Sequence, residues 1–131
     1  MNKKCVQPDK MVNSPAFSQA IEIRDLSSIL VVGGQNAVDS NGKIVGRGDF
    51  SGQCKQALSN LKIVLEDAGY SIEDVVKWTI YMVLGNDPRQ GYLAFQEVFG
   101  TVAIPPTITV VQVAGFASPD YLVEIEAMAV K

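Results

Sequence analysis

The segment that most constrains the fold covers residues 104–116 and reads IPPTITVVQVAGF. Two adjacent prolines exclude a helix at its start, and the β-branched residues after them favour a strand. One face of that strand would carry Thr107, Thr109, Val111 and Val113, and the other would carry Ile108, Val110, Gln112 and Ala114. An antiparallel strand with one solvated face normally alternates polar and apolar residues, whereas both faces here are largely apolar.

We therefore expect this strand to be buried on both faces. If helices cover one face, a second copy of the chain is the simplest cover for the other. The alternative is an ordinary central strand that exposes a few valines.

The remaining periodicity predicts one α+β domain over residues 1–131, in which residues 1–15 form an irregular N-terminal arm. Alternation predicts an early hairpin, with the turn residues DLSS between its two strands. Asp49 is a good N-cap for a long helix that Gly69 ends, and Asp87-Pro88 is typical of a second helix start. The predicted strands cover residues 17–24, 28–34, 76–83, 107–114 and 121–130, and the helices cover 50–68 and 88–99. This β-β-α-β-α-β-β order places both helices on one face of a mixed sheet.

Histidine is absent from the sequence, and its absence excludes several kinds of site. Ser-His-Asp triads, Cys-His pairs and histidine-ligated metals are ruled out. The separated thiols of Cys5 and Cys54 make no metal cage and indicate no disulfide framework, and they fit a reducing cytosol. Any chemistry must come from carboxylates, lysine, arginine, tyrosine, cysteine, amides, backbone groups and water, and we expect neither a metal nor a cofactor.

Charge and hydropathy limit the classes of partner that we expect this protein to bind. The net charge of -3 and the isoelectric point of about 4.8 argue against a nucleic-acid partner, which normally requires a basic patch. No apolar run follows the N-terminal lysines, and no stretch approaches membrane-spanning length. We therefore expect a cytoplasmic protein that binds neither nucleic acid nor a membrane.

The glycine pair Gly33-Gly34, in VVGGQNA, follows a predicted strand. A phosphate-binding loop is one interpretation, but the GxxxxGK[ST] spacing is missing and no helix start follows to hold an anion. The favoured interpretation is a bulge or a close backbone approach at the strand end. That feature would also suit a ligand pressed against the backbone.

Glu124 and Glu126, in VEIEA, lie two residues apart and share one face of the last predicted strand. The common interpretation is a pair of solvated or ion-paired carboxylates. The functional alternative is that one of them lies in a cleft, where a raised pKa would let it transfer protons.

Four segments together resemble a known family. They read AFSQAI near the start, VVGGQ after the second strand, QALSNLKIVLEDAGYSIEDVVKWTIYM in the middle and VEIEAMAV at the end. This combination resembles the Rid family of reactive intermediate deaminases, which are also called YjgF-like and were formerly labelled L-PSP endoribonucleases or translation inhibitors. The resemblance covers residues 15–131.

Membership would imply a chorismate-mutase-like α+β fold and a barrel-like homotrimer with small-molecule clefts between its subunits. It would also imply hydrolysis of enamine or imine acids, such as 2-iminobutanoate, to a 2-keto acid and ammonia. In this family a glutamate positions or activates water, and that residue corresponds to Glu124. The backbone group that contacts the ligand corresponds to Gly34.

Other positions of the family site differ in this sequence. Phe17 stands in place of a tyrosine, Gly33 in place of a serine, and Val110 in place of a cysteine. The asparagine of the second helix falls at or near Gln96. These changes remove hydroxyl and thiol groups and lengthen one amide side chain.

The largest difference is at the arginine that binds the substrate carboxylate. It belongs to a Pro-x-Arg-Thr pattern, which Pro106-Thr107-Ile108-Thr109 matches with Ile108 in the arginine's place. A shift of one residue would put Thr107 there instead. A substrate carboxylate would then lose charge-assisted hydrogen bonds worth ~1.5–3 kcal/mol each. Substitutes from elsewhere in the chain are Arg24, Arg47 and Arg89.

Three functional hypotheses follow from these residues. The first is a Rid-like trimer in which Glu124 leads hydrolysis of an imine or enamine that is less polar than the family's usual substrates. The second is a non-enzymatic Rid-fold protein that binds a ligand or regulates a partner. The third is an endoribonuclease, which the acidic charge and the absence of histidine support least.

Overall fold

The computed structural model describes all 131 residues and contains two helices and two sheets. The strands are β1 (Asn2–Val6), β2 (Ala20–Arg24), β3 (Ile29–Gln35), β4 (Val75–Val83), β5 (Thr107–Val113) and β6 (Val123–Val130), and the helices are α1 (Phe50–Asp67) and α2 (Pro88–Phe99). Strands β1 and β2 form a separate pair, and the main sheet has the order β3-β6-β4-β5. Since β5 is parallel to β4 and the other neighbours are antiparallel, the sheet is mixed. The predicted α+β class is confirmed, with one strand more than predicted.

The N-terminal region departs from the prediction. Residues 1–15 are predicted to be irregular, yet Asn2–Val6 forms β1 and pairs antiparallel with β2. The predicted hairpin between β2 and β3 is also wrong, because β3 pairs with β6. The backbone N–H groups of Ser27 and Ser28 both donate to the carbonyl of Lys131, at 2.5 and 2.8 Å. These bonds tie the start of β3 to the end of β6, a partner that no local turn signal reveals.

The boundaries of α1 agree with the local signals. The Asp49 carboxylate accepts a hydrogen bond from the Gly52 N–H at 3.0 Å, so it caps the helix as predicted. Gly69 has a φ of 78°, a left-handed conformation that suits glycine just after a helix end. One face of α1 is buried, and its apolar residues recur with helical spacing: Phe50, Cys54, Ala57, Leu58, Leu61 and Leu65. Neither helix has the length and apolar character needed to cross a membrane.

Alternation divides the side chains of the main sheet between two faces. Trp78 and Ile125 point toward the helices and belong to the core. Ile29 and Val31 alternate with core residues of β3, point away from the helices, and are 52% and 72% exposed. Strand β5 lies at the sheet edge. Within one chain it is therefore not the ordinary central strand that the sequence allowed as an alternative. A single chain therefore leaves an apolar face and an unpaired edge uncovered.

Gln53 is a fully buried polar residue on the core side of α1, and the apolar pattern does not reveal it. Its amide nitrogen donates to the carbonyl oxygens of Gly46 and Asp120, at 3.2 and 2.8 Å. Its carbonyl oxygen accepts from the Leu122 N–H at 2.9 Å. One side chain therefore joins the segment before α1 to the loop before β6.

Replacing Gln53 with methionine keeps much of the side-chain volume but leaves these backbone groups without partners. Since each unpaired buried polar group costs about 1–3 kcal/mol, we expect the free energy of unfolding to fall by about 2–4 kcal/mol. Urea denaturation followed by circular dichroism measures this change. The control is Gln90→Met on the exposed surface of α2, which should change stability by less than about 0.5 kcal/mol. Equal losses in the two variants would contradict the role of Gln53.

Candidate functional site

A cavity of about 240 Å³ lies between the two helices and the strands β4 and β5. Of its 15 lining residues, 13 are hydrophobic and none is charged. Trp78 forms part of the wall and meets Phe95 of α2 edge to face, with ring centroids 5.0 Å apart. Gly91 of α2 also lines the cavity, and a Cβ at that position would make an ordinary van der Waals contact of 3.9 Å with the Cys54 sulfur. The lining suits an apolar group.

Three predicted site residues line this cavity: Phe17, Ile108 and Val110. Phe17 reaches the cavity because the next residue, Ser18, is tied to the segment before β5. The Ser18 hydroxyl donates to the Pro105 carbonyl at 2.5 Å, and the Ser18 N–H donates to the Pro106 carbonyl at 3.2 Å. Ser18 therefore has a structural role that sequence reasoning did not identify.

No cation lines the cavity. The arginines that could have replaced the missing one form surface ion pairs instead: Arg24 with Glu22 at 2.7 Å, Arg47 with Asp120 at 2.7 Å, and Arg89 with Asp87 at 2.9 Å. Burial, with a smaller contribution from the charge of Asp49, raises the pKa of Cys54 to about 12, so its thiol is neutral at pH 7. A ligand group in the cavity would therefore meet no charge of either sign from its lining.

Glu124 lies on the helix-free face of the sheet, against the backbone of Gly34. The register of β3 and β6 shifts between Val32 and Gln35, so the glycine pair forms the predicted bulge. A Cβ on Gly34 would lie 2.5 Å from Glu124 Oε1 and 2.6 Å from its Cδ, which is closer than a real Cβ can approach. The absence of a side chain at Gly34 is what allows the carboxylate to occupy this position.

Glu126 shares that face, as predicted, but its carboxylate has a partner. The Tyr81 hydroxyl donates to Glu126 Oε1 at 3.2 Å. This hydrogen bond and the charge of Glu126 raise the pKa of Tyr81 above its ordinary value. Glu124, by contrast, accepts no side-chain hydrogen bond and forms no ion pair within the chain. Of the two carboxylates, only Glu126 has a polar side-chain partner within the chain.

The predicted site residues therefore form two groups on opposite faces of the sheet. One group lines the cavity, and the other consists of Gly33, Gly34 and Glu124. Gln96 belongs to neither, because it is exposed on α2, where its amide donates to the Tyr92 hydroxyl at 3.4 Å. A single chain does not bring the groups together, and it contains no group of three or more acidic or cysteine residues arranged to hold a metal.

A family model described as Endoribonuclease L-PSP matches residues 9–131. The chain belongs to this family. It is 39% identical to a RutC family protein of Pyrococcus horikoshii, over 88% of this chain and 86% of that one. It is 33% identical to a 2-iminobutanoate/2-iminopropanoate deaminase of Salmonella typhimurium, over 91% and 93%. The crystal structure of YyfB, a Rid family protein of unknown function from Yersinia pestis, matches with a TM-score of 0.88 and 34% identity over 100% of both chains. The resemblance to Rid proteins is confirmed.

Sequence reasoning did not identify Trp78 and Cys54 as lining residues of the cavity in this Rid protein. Both are buried, at 4% and 2% exposure, and both line the cavity. Their only signal in the sequence is apolar periodicity. That signal is the same for a packed core residue and for one that borders a void.

Replacing Gly34 with alanine should displace the Glu124 carboxylate, because the new Cβ would occupy its place. We expect the crystal structure of this variant to show Glu124 in another rotamer, with a change in the free energy of unfolding below about 1 kcal/mol, because the new Cβ meets only a flexible side chain. Gly33→Ala is the matched control, since no atom lies within 4 Å of a Cβ at that position. An unmoved Glu124 in Gly34→Ala would contradict the contact.

Proposed function

We propose that this Rid protein binds a small metabolite in clefts between the subunits of a homotrimer and hydrolyses an enamine or imine there. The observation that carries the proposal is the Glu124 carboxylate, which packs against Gly34 and lacks a polar side-chain partner. Such a carboxylate is available to accept a proton from water. Relatives named 2-iminobutanoate/2-iminopropanoate deaminase, 33% and 30% identical to this chain, support this class of reaction.

The proposed reaction consumes one water and moves two protons. The water oxygen bonds to the imine carbon, while one water proton passes to Glu124 and from there to the nitrogen. The second proton leaves the new hydroxyl by the same route as the carbon–nitrogen bond breaks, which yields a ketone and ammonia. General acid–base catalysis of this kind contributes typically ~10²–10⁴-fold to the rate.

The proposed substrate is less polar than 2-iminobutanoate. The cavity lining is apolar and contains Ile108 but no charged residue. A carboxylate that enters it would lose its hydration without gaining a cation, which is strongly unfavourable. An uncharged substituent, by contrast, would gain from leaving water. The same lining would suit a non-enzymatic ligand-binding protein, which is the second candidate function.

The proposed assembly is what would unite the two groups of site residues. A second copy on the helix-free face would cover Ile29 and Val31, which are 52% and 72% exposed. Such a copy could present its cavity mouth, where Val110 and Tyr92 are 45% and 37% exposed, to the Glu124 of its neighbour. Each cleft would then combine an apolar pocket from one chain with a free carboxylate from another.

We expect the protein to have a mass of about 42 kDa in solution, three times the chain mass of 14.1 kDa. Val31→Lys should lower this mass, since it places a charge in the proposed interface. The matched control is Ile63→Lys, because Ile63 is similarly exposed, at 63%, but lies on α1. Size-exclusion chromatography with light scattering measures both variants. A wild-type monomer at micromolar concentration would refute the proposed clefts.

Glu124→Gln should reduce hydrolysis of freshly generated, uncharged imines by about 100-fold or more, because the amide cannot accept the water proton. Ammonia release or semicarbazone trapping of the imine measures the rate. Glu126→Gln is the matched control on the same strand face and should retain most of the activity. Ile108→Arg should increase the activity on 2-iminobutanoate, because it supplies a cation for the carboxylate.

Two outcomes would redirect the functional assignment. If neither the wild type nor Ile108→Arg hydrolyses any imine, the enzymatic proposal fails and the ligand-binding candidate takes its place. If rigorously purified protein cleaves RNA, and Glu124→Gln does not, the family's older ribonuclease label applies to this chain.

A further inference from the structure

The cavity between the helices and the sheet is larger than an ordinary packing defect. Protein interiors contain few voids larger than a water molecule, whereas the lining residues here border about 240 Å³. Such a space lowers stability in proportion to its volume, because the lining atoms lack contacts on one side. An apolar group that enters the cavity would supply those contacts and leave water at the same time.

The chemistry of the lining favours an aromatic group. Five of the 15 lining residues are aromatic: Phe17, Phe50, Trp78, Tyr92 and Phe95. Aromatic rings gain from edge-to-face and offset contacts with other rings, beyond the area that they bury. Tyr92 carries the only hydroxyl of the lining, and this hydroxyl already contacts the Gln96 amide at 3.4 Å. A ring without polar substituents therefore suits the cavity better than a polar group of equal size.

The size of the cavity limits the group to one ring. An engineered apolar cavity of about 150 Å³ in another protein takes up benzene. A cavity of about 240 Å³ therefore accommodates one ring with a short substituent. A methyl or ethyl group would leave most of this volume unfilled and would gain less, because the gain grows with the apolar area that leaves water.

Gly91 is the position at which a single side chain would reduce this volume. It lines the cavity, and apart from neighbouring backbone the only heavy atom within 4 Å of a Cβ there would be the Cys54 sulfur, at 3.9 Å. A larger side chain would therefore start at the cavity wall and have room to extend. Gln90, one residue earlier on α2, is exposed and does not line the cavity.

We infer that the cavity is a specificity pocket for one uncharged aromatic ring, and that the glycine at position 91 keeps it open. The inference deepens the proposed function and rests on it in one respect, because it names the substituent that the imine or enamine substrate inserts from the cleft. Substrates with a phenyl-sized substituent belong to this class. Those with only a methyl or ethyl group in its place bind more weakly.

Toluene and benzoate test the binding site on the intact protein. Ile80, Ile108 and Ile125 line the cavity, so their methyl cross-peaks in a ¹H–¹³C spectrum report what enters it. We expect toluene to move these three cross-peaks and to leave that of Ile63, exposed on α1, in place. Benzoate has the same ring but carries a charge that the lining cannot solvate, so it should bind at least about tenfold more weakly. Unmoved cavity methyls in a toluene-saturated buffer, or equal binding of benzoate, would overturn the inference.

Gly91→Leu should weaken toluene binding by about tenfold or more, because the new side chain takes up space that the ring needs. Gln90→Leu is the matched control: it adds the same side chain on the exposed surface of α2 and should keep the affinity within about twofold. Equal affinities in the two variants would overturn the role of Gly91. If Gly91→Leu does not fold, the toluene and benzoate titrations of the wild type still decide whether the cavity binds a ring.

A pair of imines separates the inference from the proposed function. The imines of acetophenone and acetone differ only in a phenyl or a methyl group, and we expect kcat/KM to be about tenfold or more higher for the phenyl compound. Glu124→Gln should abolish this hydrolysis yet bind toluene as the wild type does, since Glu124 does not line the cavity. Toluene binding without imine hydrolysis would sustain the inference and overturn the enzymatic proposal. Hydrolysis of both imines at equal kcat/KM would overturn the inference and leave the proposed function standing.

Discussion

Two helices cover only one face of the four-stranded sheet, and the organisation of this Rid protein depends on that asymmetry. Neighbouring side chains along a strand point to opposite faces, so Ile125 enters the core while Glu124 and Glu126 do not. The covered face encloses an uncharged cavity, and the uncovered face carries the free carboxylate. A single chain thus separates its apolar pocket from the Glu124 carboxylate by the thickness of the sheet.

The chemistry of the two faces is complementary. Burial raises the pKa of the Cys54 thiol further above neutrality, and Ile108 contributes no charge where the family resemblance implies a carboxylate-binding arginine. On the other face, Gly34 gives Glu124 room that any side chain would take away. In the proposed assembly, one chain would supply the apolar pocket for a substituent and another chain would supply the carboxylate for the reacting carbon.

Three polar contacts between distant segments hold this arrangement in place. Ser18 binds the proline pair before β5 and so positions Phe17 beside the cavity. Gln53 joins the segment before α1 to the loop before β6, and the Ser28 backbone ties the start of β3 to Lys131. Each satisfies backbone groups of irregular segments, which cannot find partners in regular secondary structure. The Ser18 and Gln53 side chains carry no apolar signal, and the Ser28 contact is made by backbone groups that any residue has, so sequence patterns do not reveal these contacts.

The sequence by itself determined the features that depend on neighbouring residues. Asp49 and Gly69 mark the two ends of α1, because helix capping depends on residues close in sequence. The alternation in VEIEA likewise places both glutamates on one face. The motifs that resemble Rid proteins also predicted the class of fold. Only the tertiary structure decided which strands pair, that β1 exists, and that Glu124 and Phe17 lie on opposite faces. Those features depend on contacts between residues far apart in the chain, whose partners the local pattern does not specify.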